Sequence, residues 1–191
     1  MKKTTKVIRR VAVFGDSMAK KNDNHFKDAK KVAGLLAKEG YVIVNGGGPG
    51  IMLAASEGAK EAGGKVEVVI LDPKNEPDNY EGSSKKNISL ADKVYTTQKI
   101  DDRLNKLIDI ADAFMVFKGG TGTLAEVGTA WEMARFDYGH HEPLIFYGKF
   151  WKKIIDDMEQ GLGFTRDEKG VVVVVESATE ALEVLKKIEI R

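Results

Sequence analysis

Short apolar runs alternate along the whole chain with longer stretches of helical period, and few architectures accommodate that pattern. The runs fall at 11–14, 42–44, 66–71, 94–96, 114–117, 144–147 and 171–175. Apolar on both sides and separated by helix-length segments, they predict a parallel sheet buried on both faces: a doubly wound, mainly parallel α/β sheet of Rossmann-like type, with about seven strands and helices on either side. Between the first two runs, Phe26, Ala29, Val32, Ala33 and Leu36 recur at three- and four-residue spacing, and Gly40 stands where a helix C-terminal cap belongs. A last helix is expected to open at Ser177 with Glu180 three residues on, a capping box, and to bury Ala181, Leu182, Leu185 and Ile188. At 191 residues, one domain spanning 1–191 is expected. The long irregular stretch at 72–90, rich in Asp, Asn, Pro, Ser and Lys, reads either as a flap over a site or as a solvated loop.

Two glycine-rich loops punctuate this alternation. Gly46-Gly47-Gly48-Pro49-Gly50 follows the second apolar run, and Gly119-Gly120-Thr121-Gly122-Thr123 follows the fifth. Each enters from a strand and leaves into a helix, where exposed backbone N–H groups favour an anion and glycine permits close approach. Gly46, Gly47, Gly48, Gly50, Gly119, Gly120, Thr121, Gly122 and Thr123 are therefore the candidate phosphate-binding residues. Gly15, Asp16 and Ser17 after the first run, and Met52 after the first glycine loop, are candidate nucleotide contacts. The first loop fits neither familiar nucleotide signature: Gly50-Ile51-Met52 lacks the lysine and hydroxyl of a Walker loop, and the spacing and position are wrong for a dinucleotide fingerprint.

Overall charge does not supply the anion affinity. Lys and Arg number 30 against 29 Asp and Glu, which argues against a nucleic-acid or membrane surface. No cysteine is present, excluding disulfides and thiolate chemistry and suggesting a reducing, cytoplasmic setting. The basic opening residues lead into a short strand rather than a leader's apolar segment, and no run approaches the roughly 20 residues of a membrane span. No spacing of His and carboxylates resembles a metal site.

Two charged residues stand out. Glu126 lies three residues beyond Thr123, about 5 Å further along the helix. That is the order of the separation between a 5′-phosphate and C1′ of the same ribose. Its neighbours at helical spacing, Gly122, Thr123, Thr129 and Ala130, provide no cation. Arg103 falls in a helix beginning near Ile100, beside an expected buried stripe of Ile100, Leu104, Leu107 and Ile108. No acidic residue lies three or four positions away, so its counter-ion must come from another segment, a phosphate or a departing base.

The two loops together, with Gly119-Gly120-Thr121-Gly122-Thr123-Leu124-Ala125-Glu126 the more specific, resemble the signatures of the Lonely Guy (LOG) family, often labelled lysine-decarboxylase-like. The resemblance covers most of the chain. It implies hydrolysis of the N-glycosidic bond of a nucleoside 5′-monophosphate, of AMP or cytokinin type, to free base and ribose 5-phosphate. It places Glu126 and Arg103 at the catalytic positions, calls for no metal or redox cofactor, and implies a homodimer or larger even-numbered assembly. Relatives of this fold that bind a molybdenum cofactor without cutting a nucleotide make a carrier role the alternative. The chain departs from the family pattern at Lys118, Thr121 and Leu104. A remoter resemblance, of Gly15-Asp16-Ser17 with Asp137 and His140 to the GDSL esterases, leaves both glycine loops unexplained. His25 reads as the solvated start of a helix. Trp131, Met133, Ala134 and Phe136 could form an oligomer contact or simply core.

Overall fold

Because parallel strands can be joined only by crossovers, every strand of this chain is followed by a helical or looped return. The computed structural model describes residues 7–78, 80, 82–136 and 143–189. In chain order the elements are β1 (Arg10–Phe14), α1 (Asn24–Lys38), β2 (Val42–Asn45), α2 (Ile51–Glu61), β3 (Val66–Leu71), a short 3₁₀ turn (Pro73–Asn75), α3 (Lys85–Leu90), β4 (Lys93–Thr97) and α4 (Ile100–Asp109). There follow β5 (Ala113–Val116), α5 (Thr121–Arg135), β6 (Leu144–Tyr147), α6 (Phe150–Leu162), α7 (Arg166–Gly170), β7 (Val172–Val175) and α8 (Ala178–Glu189). The seven strands form one sheet in the order β4-β3-β2-β1-β5-β6-β7, and all neighbours are parallel. Each apolar run of the sequence supplies one strand, with ends shifted by a residue at most.

Successive residues of a strand face opposite ways, so the central strands feed two separate cores. Val11, Val13, Ile43, Val68 and Met115 pack on one face against α1, α2 and α8 through Val32, Ala33, Leu36, Ala55 and Leu185. Ala12, Phe14, Val44, Val69, Phe114 and Val116 pack on the other against α4, α5 and α6 through Leu107, Ile108, Val127, Trp131 and Ile155. Winding reverses at β1. The chain proceeds outward through β2, β3 and β4, then returns across the sheet to place β5 on the other flank of β1. Loops leaving the carboxyl ends of β1 and β5 diverge onto opposite faces and open a crevice there.

Three expectations need correction, and a fourth point, left open between oligomer contact and core, can be described. Ser177 caps α8 by accepting the Glu180 N–H at 3.2 Å, but the Glu180 carboxylate accepts from the N–H of Glu176 at 2.8 Å rather than closing a box on Ser177. The segment 72–90 is not irregular throughout, since its last third is α3, capped by the Ser84 hydroxyl. Ile100 is 48 % exposed, whereas Leu107 and Ile108 are buried, so the stripe is covered by the core only in the later part of α4. Trp131 and Ala134 are core and Met133 packs beside them, leaving Phe136 as the exposed member of that group at 58 %. Asp137, His140 and the rest of 137–142 lie outside the described residues.

One carboxylate ties several of these elements together. Glu57 of α2, its side chain only 10 % exposed, pairs with Lys86 of α3, with Lys21 beyond β1 at 3.3 Å and with Lys30 of α1 at 4.0 Å. Burial pushes its carboxyl up, but hydrogen bonds from Lys86 and Lys21 outweigh this and hold it below the ordinary carboxylate range. A depressed native pKa contributes stability that is present above the unfolded value and lost as pH falls through the native one. Glu57→Gln should therefore cost about 1–2 kcal/mol at neutral pH, the lysines being largely exposed. Chemical denaturation from pH 7 downwards checks this, because the gap between parent and variant should close below about pH 4.

Candidate functional site

The crevice between the β1 and β5 loops holds a cleft of about 430 Å³. Its floor and one wall are Gly120, Thr121, Gly122, Thr123, Ala125 and Glu126, from the start of α5. Opposite stand Gly15, Asp16, Ser17 and Met18 from the turn after β1, with Met52, Ile100, Arg103 and Leu104. Tyr80 completes the lining from the segment between β3 and α3. Arg103 and Glu126 thus share one cleft with the second glycine loop, although 23 residues separate them in sequence.

The two glycine loops occupy different places. At the second, the first helical hydrogen bond of α5 runs from the Leu124 N–H to the Gly120 carbonyl, at 3.0 Å. The N–H groups of Thr121, Gly122 and Thr123 precede it and have no intrahelical acceptor, and among the described residues no side chain caps this helix start. A Cβ built on Gly120 or Gly122 would meet nothing within 4 Å, and neither residue has a positive φ. These positions need glycine neither for backbone conformation nor for packing. They leave space over the helix terminus, where partial positive charge accumulates.

At the first loop, by contrast, Gly46, Gly47, Gly48 and Gly50 are buried beneath the cleft, and Met52 is the residue of that segment that lines it. The first donor of the α2 terminus is taken up by the protein: the Ile51 N–H donates to the Asp16 carbonyl at 2.9 Å. Gly50 takes φ +64°, and a Cβ there would strike that same carbonyl. Asn45, fully buried at the end of β2, donates to the Ser56 hydroxyl at 2.8 Å and accepts from the Gly47 N–H at 2.9 Å and from Asn87 at 3.0 Å. Asn87 also donates to the Gly48 carbonyl at 2.8 Å. Main-chain groups of this loop are thereby committed to the protein itself.

What the first loop holds is Arg103. The guanidinium donates through Nη2 to the Gly46 carbonyl at 3.0 Å and through Nε to the Val69 carbonyl at 3.2 Å, so the carboxyl ends of β2 and β3 seat it. A Cβ on Gly46 would fall on the guanidinium. Among the described residues no carboxylate pairs with Arg103, and its anchors are neutral carbonyls that fix orientation while leaving the positive charge uncancelled. Among the described residues, two of its five N–H donors are used.

Asp16 shapes the opposite wall. Its carboxylate accepts the Met18 N–H at 2.9 Å and lies 3.7 Å from His25 Nε2, while its own N–H donates to the Lys118 carbonyl at 2.8 Å, joining the β1 and β5 turns. His25 is therefore half-buried behind the cleft rather than simply solvated. Ser17 lines the cleft, but the Asp137 and His140 of an esterase reading lie outside the described residues. Tyr80 was not legible as a site residue, because nothing in the local sequence of 72–90 signals that it returns to the β5 side. Among the described residues no cluster of His, Cys, Asp and Glu could hold a metal, and no helix is long and apolar enough to cross a membrane.

These contrasts generate paired tests. Gly120→Val and Gly122→Val should leave the unfolding midpoint close to that of the parent, yet weaken ribose 5-phosphate binding at least tenfold by filling the space over the α5 amides. Gly46→Ala should also remain folded, since the atom displaced is the far end of a flexible side chain. It should reproduce the binding loss of Arg103→Ala. Calorimetric titration alongside thermal unfolding reads both.

Comparison with known proteins agrees with this architecture. An Archaeoglobus fulgidus protein described only as uncharacterised is 29 % identical over 127 residues, covering 66 % of this chain and 78 % of its own. The molybdenum cofactor binding protein from Rippkaea orientalis superposes with a TM-score of 0.67 at 24 % identity, over 96 % of this chain and 97 % of its own. The molybdenum cofactor carrier protein from Chlamydomonas reinhardtii gives 0.66 at 19 % identity, over 97 % and 100 %. At such identities the likeness shows the fold. The sequence model of the SLOG cluster4 family matches residues 8–181, nearly the whole chain, and the protein belongs to that family, within the wider LOG-like superfamily.

Proposed function

We propose that the protein hydrolyses the N-glycosidic bond of a nucleoside 5′-monophosphate. The observation that supports this most is the convergence, on one cleft, of a helix terminus, a carboxylate one turn beyond it and an arginine that, among the described residues, pairs with no carboxylate. The phosphate would sit on the amides of Thr121, Gly122 and Thr123, with the two threonine hydroxyls adding donors. With the phosphate there, C1′ lies near Glu126, about 5 Å along the helix.

The chemistry follows from those positions. As the bond from C1′ to the base nitrogen breaks, its electron pair leaves with the base and positive charge develops on the ribose. The Glu126 carboxylate stabilises that charge and orients a water whose oxygen bonds to C1′. One water proton ends on the base and the hydroxyl stays on the sugar, giving free base and ribose 5-phosphate. Arg103, held rigidly by the Gly46 and Val69 carbonyls, directs its remaining donors to the phosphate or to the departing base.

A second reading draws on the structural likeness to molybdenum cofactor binding and carrier proteins over almost the full chain. The same helix terminus suits the phosphate of such a cargo, in which case the cleft binds and releases without cutting. Incubating the purified protein with AMP separates the two. Appearance of adenine and ribose 5-phosphate supports the hydrolase, whereas tight AMP binding with no product over hours, together with binding of the pterin cofactor, supports the carrier.

If Glu126 acts mainly on the developing charge, Glu126→Gln should lower kcat about 100-fold, some 3 kcal/mol of transition-state stabilisation, with little change in KM. Arg103→Ala should damage both parameters, because it serves ground and transition states alike. Steady-state kinetics on AMP measures each. Undiminished turnover by the Gln variant removes Glu126 from the chemistry.

A further inference from the structure

The segment between β3 and α3 is built to present an aromatic ring to the cleft. Its ends are tethered: Asn75 donates to the carbonyl and side-chain oxygens of Gln98 at 3.1 and 2.8 Å, and the Ser84 N–H donates to the Gly47 carbonyl at 2.8 Å. Within it, the Glu76 carboxylate accepts from the Ser83 hydroxyl at 3.0 Å and the Ser83 N–H at 3.3 Å, tying those two residues together. The Tyr80 N–H donates to the Pro77 carbonyl at 2.9 Å. Gly82 approaches the first glycine loop, its carbonyl 3.7 Å from where a Cβ of Gly48 would stand. Tyr80 then lines the cleft, its ring centroid 6.0 Å from the Arg103 guanidinium carbon.

The lining of the cleft is mixed. Asp16, Ser17, Arg103, Thr121, Thr123 and Glu126 are polar or charged, whereas Met18, Met52, Ile100 and Leu104 supply apolar surface in the same cleft as Tyr80. An aromatic ring together with methionine and aliphatic side chains, in a cleft that also holds a helix N-terminus, suits the flat apolar face of a nucleobase.

We infer that Tyr80 is the base-stacking residue of this site, a specificity determinant that selects ligands carrying an aromatic base over those ending at the sugar, with the Glu76–Ser83 closure as its positioning element. This rests on the reading of the α5 terminus as a phosphate site. Stacking strength grows with ring area, so purine monophosphates should bind more tightly than pyrimidine ones, and the preference should depend on Tyr80.

Calorimetric titration of the full chain with ribose 5-phosphate, AMP and CMP tests the inference. In the parent, AMP should bind more tightly than CMP, and both more tightly than ribose 5-phosphate. Tyr80→Leu, which keeps apolar bulk but removes the ring, should weaken AMP about tenfold or more and erase the purine preference, while ribose 5-phosphate changes less than twofold. Tyr80→Phe should retain the parent's pattern. Unchanged AMP affinity in Tyr80→Leu overturns the inference, as does equal weakening of all three ligands. If the parent binds AMP but not ribose 5-phosphate, the phosphate-site reading fails instead, and the inference falls with it.

Discussion

A guanidinium seated on two backbone carbonyls is the interaction around which this site is arranged. Arg103 reaches from α4 to the ends of β2 and β3, and both acceptors are neutral. A carboxylate partner would hold the side chain more tightly but would also cancel the field that an anionic ligand must feel. Carbonyl anchoring gives direction without neutralisation. It requires a bare backbone at residue 46, because any Cβ there would occupy the guanidinium's place. It also requires that the loop carrying the Gly46 carbonyl be immobile, and buried Asn45, bonded to Ser56, Gly47 and Asn87, provides that.

Division of labour between the glycine loops follows from topology. Both leave carboxyl ends of parallel strands and both lead into helices, and the crevice lies at the reversal, between the loops after β1 and β5. The α2 terminus, one strand further out, is met by the Asp16 carbonyl, which accepts the Ile51 N–H. Two similar sequences therefore do unlike things. One is a platform carrying Arg103 and the Tyr80 turn, and the other opens its amides to the cleft.

Local patterns in the sequence were enough to read the fold. Strand positions followed from apolar runs, and the one-turn relation between Gly120–Thr123 and Glu126 is internal to α5, so periodicity alone conveys it. Arg103 could be singled out by the lack of an acid on its own helix face. Its seat could not, since Gly46 lies 57 positions away and the carbonyls it offers carry no side-chain signature. The same holds for Tyr80, whose place depends on long-range bonds from Ser84 to Gly47 and from Asn87 to Asn45. Composition made 72–90 look like one loop, because α3 is short and polar and is stabilised chiefly by those tertiary bonds and by Lys86 on Glu57. Helical spacing likewise overstated Ile100, which keeps the period of the buried stripe but lines the cleft at the first turn of α4.

The position of the bound phosphate decides the roles of the α5 terminus and of Glu126. A crystal structure of the Glu126→Gln variant soaked with AMP addresses this directly, because slowed chemistry should leave the nucleotide intact. The phosphate oxygens should accept hydrogen bonds from the N–H groups of Thr121, Gly122 and Thr123, at about 2.7–3.1 Å, with C1′ beside residue 126. A phosphate bound instead at the first glycine loop, or a nucleotide whose ribose points away from α5, would contradict the assignment of both the helix terminus and Glu126.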